Sequence, residues 1–180
     1  MTEARLGHEE HRRAGARPVR VFVLTASDTR GEADDASGAY LKSALASAGH
    51  VLAGYRVVRD EPDEVRRALA AAGDAGAEAV VVNGGTGISG RDRTYEAVAG
   101  LLEKRLDGFG EIFRALSFQE IGSAAMLSRA VAGTWQGRVI FSVPGSIAAV
   151  RLAWERLIGP ELGHVAFELS KHASPPSGPG

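Results

Sequence analysis

Gly84-Gly85-Thr86-Gly87 is the first run whose residue types could do chemistry; it lies between a β-branched segment and a helical one. Glycines admit positive φ and let a ligand approach the backbone closely. Successive N–H groups in such a turn can converge on one anion, and Thr86 adds a hydroxyl. A phosphate is the natural guest; a tight strand-to-helix turn without a ligand is the alternative. Two nucleotide-binding patterns fit poorly. A P-loop ends in Gly-Lys-Ser/Thr, and this loop has no lysine. Gly85-Thr86-Gly87-Ile88-Ser89-Gly90 satisfies Gly-x-Gly-x-x-Gly. That pattern, however, should close the first strand, with an acidic residue ending a later strand, and here it closes the third.

Three carboxylates, Asp28, Asp60 and Asp92, fall in loops expected on the same rim. Carboxylates around a phosphate loop are electrostatically awkward unless a cation such as Mg²⁺ joins them. The alternatives are turn chemistry for Asp28 and Asp60 and a helix cap for Asp92, although Thr94 is better placed as a cap. Asp34 and Asp35 are expected to be solvated, with metal binding as the alternative. Ser128-Arg129 suits an anionic group, because a guanidinium forks onto phosphate or carboxylate; a surface arginine beside a strand is the competing reading. No Ser-His-Asp set emerges, since His50 and His164 stand away from the rim loops. His8 and His11 read as solvated tail histidines rather than metal ligands.

The elements that must position these residues alternate. Val19–Leu24, Val51–Val58, Glu78–Val82 and Gly137–Val143 read as strands. Helices are expected over about 38–48 with Ser37 as cap, 63–72 after Pro62, 95–104, 109–117, 147–157 and 160–171. This order predicts an α/β fold, a mostly parallel sheet with helices on both faces, and ligands outside the carboxyl ends of the strands. The informative loops are then Thr25-Ala26-Ser27-Asp28, Arg59-Asp60, Gly84 to Gly87 and Pro144-Gly145-Ser146.

The composition of the 180 residues bounds the function: 44% hydrophobic, 24% charged, net charge −1 and no cysteine. The balance argues against a dedicated nucleic-acid binder or a polybasic membrane binder, and no run of apolar residues is long enough to span a bilayer. Without cysteine there is no thiol nucleophile or disulfide, which fits a cytoplasmic protein. No signal-peptide pattern stands at the start. A single domain over 18–172 is expected, between mobile tails at 1–17 and 173–180.

Ser27-Asp28, Asp35-x-Ser37-Gly38, Gly84-Gly85-Thr86-Gly87, Arg91-Asp92, Leu116-Ser117-Phe118, Leu127-Ser128-Arg129 and Pro144-Gly145-Ser146 occur in order. Together they resemble the MoaB/Mog family of molybdenum-cofactor biosynthesis proteins over about 18–165. Gly108 to Arg114 running into residues 116–122 is most similar to the MoaB branch. The resemblance implies a three-layer α/β fold, a homotrimer or homohexamer, and adenylylation of molybdopterin by Mg·ATP with release of pyrophosphate. It implies catalytic and metal-holding roles for Asp60 and Asp92. It implies substrate contacts from Ser27, Asp28, Gly84, Gly85, Thr86, Gly87, Ser128, Arg129, Pro144, Gly145 and Ser146. A molybdate-insertion enzyme is the implied partner, and a non-catalytic oligomeric pterin or partner binder is the alternative. Where the family often has Thr-Pro-Glu-Ala, this chain has Thr94-Tyr95-Glu96-Ala97.

Overall fold

The computed structural model describes residues 17–171. The expected tails, with His8 and His11, lie outside the described residues except for Arg17, as does residue 172. Six strands form: β1 (Arg20–Ala26), β2 (Val51–Val58), β3 (Ala79–Asn83), β4 (Lys104–Arg105), β5 (Val131–Trp135) and β6 (Arg138–Val143). Their order in the sheet is β2-β1-β3-β6-β5-β4. β2, β1, β3 and β6 run parallel, while β5 and β4 add antiparallel at one edge. The sheet is therefore mixed, and parallel where its carboxyl ends carry the expected loops.

In β1, Val21 and Val23 face one layer while Phe22, Leu24 and Ala26 face the other, and all are buried. Apolar residues on both sides of the pleat are what a strand covered twice requires. The first face is covered by α1 (Ala36–Ser47), α4 (Asp107–Ile121), α5 (Ile147–Ala153) and α6 (Gly159–Ser170), through Leu41, Leu45, Phe113, Val150 and Leu162. The second is covered by α2 (Pro62–Asp74) and α3 (Thr94–Ala99), through Val65, Leu69, Ala97 and Val98. This is the three-layer α/β arrangement, and among the described residues no helix is long and apolar enough to cross a membrane.

Five expectations need correction. β4 and β5 were not expected, and the helix read over 95–104 stops at Ala99 because the chain turns to reach β4. The cap of α1 is Asp35, whose side chain accepts from Gly38 N–H, rather than Ser37. Asp35 is not solvated but 2% exposed. The last two helices form one rod joined by a π-helical turn at Trp154–Ile158. Pro160 follows that turn; a proline has no N–H and crowds the carbonyl four residues back, and a widened turn accommodates both defects.

Candidate active site

Strand order creates the site. From β1 the chain moves to β2 on one side and later to β3 on the other, so their outgoing loops part between β1 and β3, where doubly wound sheets bind ligands. A cleft of about 530 Å³ opens there. It falls in the range of small-molecule sites, roughly 300–1,000 Å³. Ser27, Asp28 and Arg30 line it from β1, and Asp60 lines it from β2. Gly84 to Gly87, Ser89, Arg91 and Asp92 line it from β3, Leu127 and Ser128 from the turn before β5, and Pro144, Gly145 and Ser146 from β6. Of the sequence-predicted site residues, only Arg129 is absent from the lining.

The glycine run is shaped by close backbone approach. Gly84 and Gly85 hold φ of 98° and 60°. A β-carbon on Gly84 would fall on the Ala26 carbonyl oxygen; one on Gly85 would lie 2.5 Å from both Asp60 Oδ2 and Thr94 Oγ1. The next carbonyls all point into the scaffold. Gly85 O accepts from Tyr95 N–H at 3.1 Å, Thr86 O from Arg129 Nε at 2.8 Å, and Gly87 O from Arg129 Nη2. Across a planar trans peptide the following N–H points the opposite way. The N–H groups of Thr86, Gly87 and Ile88 are thus turned outward, and neither they nor that of Gly85 find an acceptor among the described residues. Thr86 is buried. An orphan donor at a buried residue calls for a ligand or water, and with the half-buried Gly85 and Gly87 on either side the row favours an anion, while Ile88 at its end is exposed.

Each of the three carboxylates is fixed by one oxygen. Asp28 Oδ1 accepts from Asp60 N–H at 3.1 Å. Asp60 Oδ1 accepts from Arg93 N–H at 3.1 Å, Thr94 N–H at 2.8 Å and Thr94 Oγ1 at 2.7 Å. Asp92 Oδ2 accepts from Ser89 N–H at 3.0 Å. The second oxygens of all three accept nothing among the described residues. Asp60 therefore does not make a local turn: it caps α3 from another loop, a task assigned in the sequence to Asp92 or Thr94. No three acidic or histidine side chains among the described residues come together as a metal cage. Mg²⁺ seldom asks for one, since it is usually held by one or two carboxylates together with substrate phosphates.

Arg129 stands behind the loop. Besides the Thr86 and Gly87 carbonyls, its guanidinium pairs with Glu96 and lies 4.7 Å over the Tyr95 ring. The Glu96 carboxyl is held below the usual carboxylate range, chiefly by the hydrogen bond from Arg129. Ser146 Oγ caps α5 by accepting Ala149 N–H, and Ser27 Oγ accepts the N–H groups of Thr29 and Arg30.

Residues 20–164 match the family model described as a probable molybdopterin binding domain. The chain belongs to this molybdopterin-binding-domain family. It is 52% identical over 165 residues to molybdenum cofactor biosynthesis protein B of Halalkalibacterium halodurans, covering 91% of this chain and 97% of that protein. A crystal structure of a molybdenum cofactor biosynthesis protein B superposes with a TM-score of 0.84 at 49% identity, over 87% of this chain and 98% of that one. The tungsten cofactor synthesizing protein MoaB of Pyrococcus furiosus gives 0.78 at 40%, over 85% and 98%. The resemblance read from the ordered motifs therefore holds, MoaB branch included.

Within the molybdopterin-binding domain, sequence reasoning left several contributors out of the site, although Arg91 and Asp35 stood in the ordered motifs. Arg30 and Arg91 are the cations of the cleft; Arg30 donates to Gly145 O at 3.1 Å. Asp35 anchors a network behind the loop. It accepts from Thr25 Oγ1 at 2.6 Å, Tyr55 Oη at 2.8 Å and Gly38 N–H at 2.9 Å. Asn83 Nδ2 donates to Thr25 Oγ1 at 2.8 Å. The carboxyl ends of β1 and β3 are thereby tied to the middle of β2, beneath the loops that line the cleft. Burial alone would raise the Asp35 pKa, but the hydrogen bonds from Thr25, Gly38 and Tyr55, with the charge of Arg30, outweigh it and hold the pKa below its ordinary value. Burial, followed by the hydrogen bond to Asp35 and its charge, pushes the Tyr55 phenol well above its usual range. The readable signal for Asp35 was an acid before Ser37-Gly38 at a helix start; Tyr55 as its partner had none.

Proposed function

We propose that this chain binds molybdopterin and ATP in the cleft and transfers the adenylyl group to the pterin's phosphate, releasing pyrophosphate. One observation carries the reading: a row of orphan backbone donors and three half-free carboxylates share one cleft. Each alone has a bland use, but together they suit a polyphosphate that arrives with a divalent cation. A pterin phosphate oxygen forms the new bond to the α-phosphorus as the bond to the bridging oxygen of pyrophosphate breaks. The N–H groups from Gly85 to Ile88 hold phosphate oxygens as charge shifts among them. Ser128 and the edge formed by Pro144, Gly145 and Ser146 seat the pterin against the β6 side. No covalent protein intermediate is needed, since positioning and charge neutralisation lower the barrier.

The donor set fits Mg²⁺. Asp60 and Asp92 would hold it through their free oxygens, and a bound ion supplies neutralisation of triphosphate charge. The proposed setting is cytoplasmic, with a molybdate-insertion enzyme receiving the product. The assembly is a homotrimer or homohexamer; Phe118, Ile121 and Met126 stand exposed at the end of α4 and the turn after it, an apolar patch suited to a second copy.

The test is direct. Purified protein is incubated with molybdopterin, Mg²⁺ and α-labelled ATP. Label on the pterin with matching pyrophosphate release supports the enzyme reading. Pterin retained without label transfer overturns it in favour of a carrier.

A further inference from the structure

We propose that Arg129 and Glu96 form a clamp that sets the anion affinity of the glycine loop without touching the anion. The inference rests on the reading that this loop holds phosphate, and it assigns Arg129 a positioning role instead of direct substrate contact.

The guanidinium is occupied on every side. Nε and Nη2 hold two successive carbonyls, Thr86 O and Gly87 O, while Nη1 is held by Glu96. The Tyr95 ring supports one face, and the side chain is 26% exposed. The cleft lining passes from Ser128 to the glycine run without Arg129. A third carbonyl, Gly85 O, is taken by Tyr95 N–H. This donor exists because residue 95 is tyrosine; a proline there would have no N–H to give.

Those carbonyls decide the sign of the cleft. A glycine peptide flips readily, and a flip exchanges an outward N–H for an outward carbonyl oxygen. That exchange replaces attraction for a phosphate by repulsion. A rigid fork can hold two neighbouring carbonyls at once, whereas an ammonium is a single flexible point of donation. Glu96, from the first turn of α3, keeps the fork turned toward the loop and away from the cleft. Its charge-assisted pairing with Arg129 is the stronger class of hydrogen bond.

Glu96 gives the test its sign. Its side chain is 59% exposed and negative. By charge alone, Glu96→Gln should leave anion binding unchanged or tighten it, because a negative charge near the anion is removed and Arg129 is released. The clamp requires the opposite.

Binding of inorganic pyrophosphate in the presence of Mg²⁺ is measured by titration calorimetry for wild type, Glu96→Gln, Arg129→Met, Arg129→Lys and the Glu96→Gln/Arg129→Met pair. Glu96→Gln should bind about three- to ten-fold more weakly, the difference between a charged and a neutral hydrogen bond at one remove. Arg129→Met should lose about ten-fold or more, and Arg129→Lys should recover part of that loss. Adding Glu96→Gln to Arg129→Met should weaken binding no further. The backbone amide resonances of Thr86, Gly87 and Ile88 should shift with pyrophosphate in wild type and shift less in Glu96→Gln. Equal or tighter binding by Glu96→Gln overturns the clamp, as does a further loss in the double variant. Absence of pyrophosphate binding by the wild type overturns the phosphate reading itself, which is a separate failure. If Arg129→Met does not fold, Glu96→Gln decides alone, because exposed substitutions seldom disturb folding.

Discussion

Asp60 has one oxygen tied into the fold and one that the proposed function assigns to the metal, so two substitutions should separate the two roles. Oδ1 caps α3 through Arg93 N–H, Thr94 N–H and the Thr94 hydroxyl, and Oδ2 is free toward the glycine loop. Asp60 is 7% exposed and Thr94 is 0% exposed. Asp60→Ala therefore strands two fully buried donors and one partly buried one. At about 1–3 kcal/mol for each buried group left unsatisfied, the two fully buried donors alone cost about 2–6 kcal/mol, much of a small domain's stability. Asp60→Asn can keep its amide oxygen at the Oδ1 position and lose only the charge assistance, about 1 kcal/mol. Its amide nitrogen replaces the free oxygen, so the group that the proposed function gives to the cation is gone. Losing one preorganised electrostatic contact costs about 10²–10³ in turnover. Unfolding in urea and adenylyl transfer from labelled ATP should then separate: Asp60→Asn stable and slow, Asp60→Ala unstable. Asp60→Asn turning over within about two-fold of wild type would refute the use of Oδ2 in catalysis. Equal destabilisation by the two variants would refute the capping argument.

Two further expectations use the same logic. Asp92→Asn can preserve the turn contact to Ser89 N–H at 3.0 Å while removing its own free oxygen. Its turnover should fall about 10²-fold or more with pterin affinity little changed, measured by single-turnover transfer and equilibrium binding. Asp35 has its folded pKa lowered, so its contribution to stability is full above the unfolded carboxylate pKa of about 3.9 and is lost as pH falls through the lower folded value. Asp35→Asn should be less stable by about 2–4 kcal/mol near neutrality, since its carboxylate accepts three hydrogen bonds. The gap in urea midpoint between the two proteins should hold steady down to about pH 5 and narrow as pH falls below about 4. A gap that widens with acid would show that Asp35 is not ionised in the fold.

The parallel half of the fold was legible because its strands are β-branched runs buried on both faces, such as Ala79-Val80-Val81-Val82. The antiparallel edge was not. Val131-Ala132-Gly133-Thr134-Trp135 carries small residues because it sits close to its neighbour: a β-carbon on Gly133 would meet the Lys104 carbonyl. Its hairpin turns on Gln136 and Gly137, both at positive φ, instead of the Asn-Gly that announces such turns. The site divides the same way. Rim loops follow from strand order, so Asp28, Asp60, Asp92 and the glycine run could be placed together from local pattern alone. Which oxygen of Asp60 is fixed, or that Arg129 faces carbonyls rather than the cleft, depends on pairs more than 30 residues apart. Residue type and spacing along the chain do not carry such pairings.

The half-used carboxylates also explain how the cleft can hold acids and anion donors together. Two like charges about 4 Å apart at a partly screened site repel by about 4 kcal/mol. Asp60 and Asp92 alone would thus turn away a bare phosphate that the N–H row attracts. In the proposed function that opposition becomes selectivity. Their free oxygens repel an uncomplexed phosphate, while the same oxygens and the N–H row act in concert on a phosphate carrying a divalent cation. Pyrophosphate affinity should therefore climb steeply with Mg²⁺ in the wild type and much less in Asp60→Asn, whereas a cleft built only as an anion cradle would gain affinity when the carboxylate is removed.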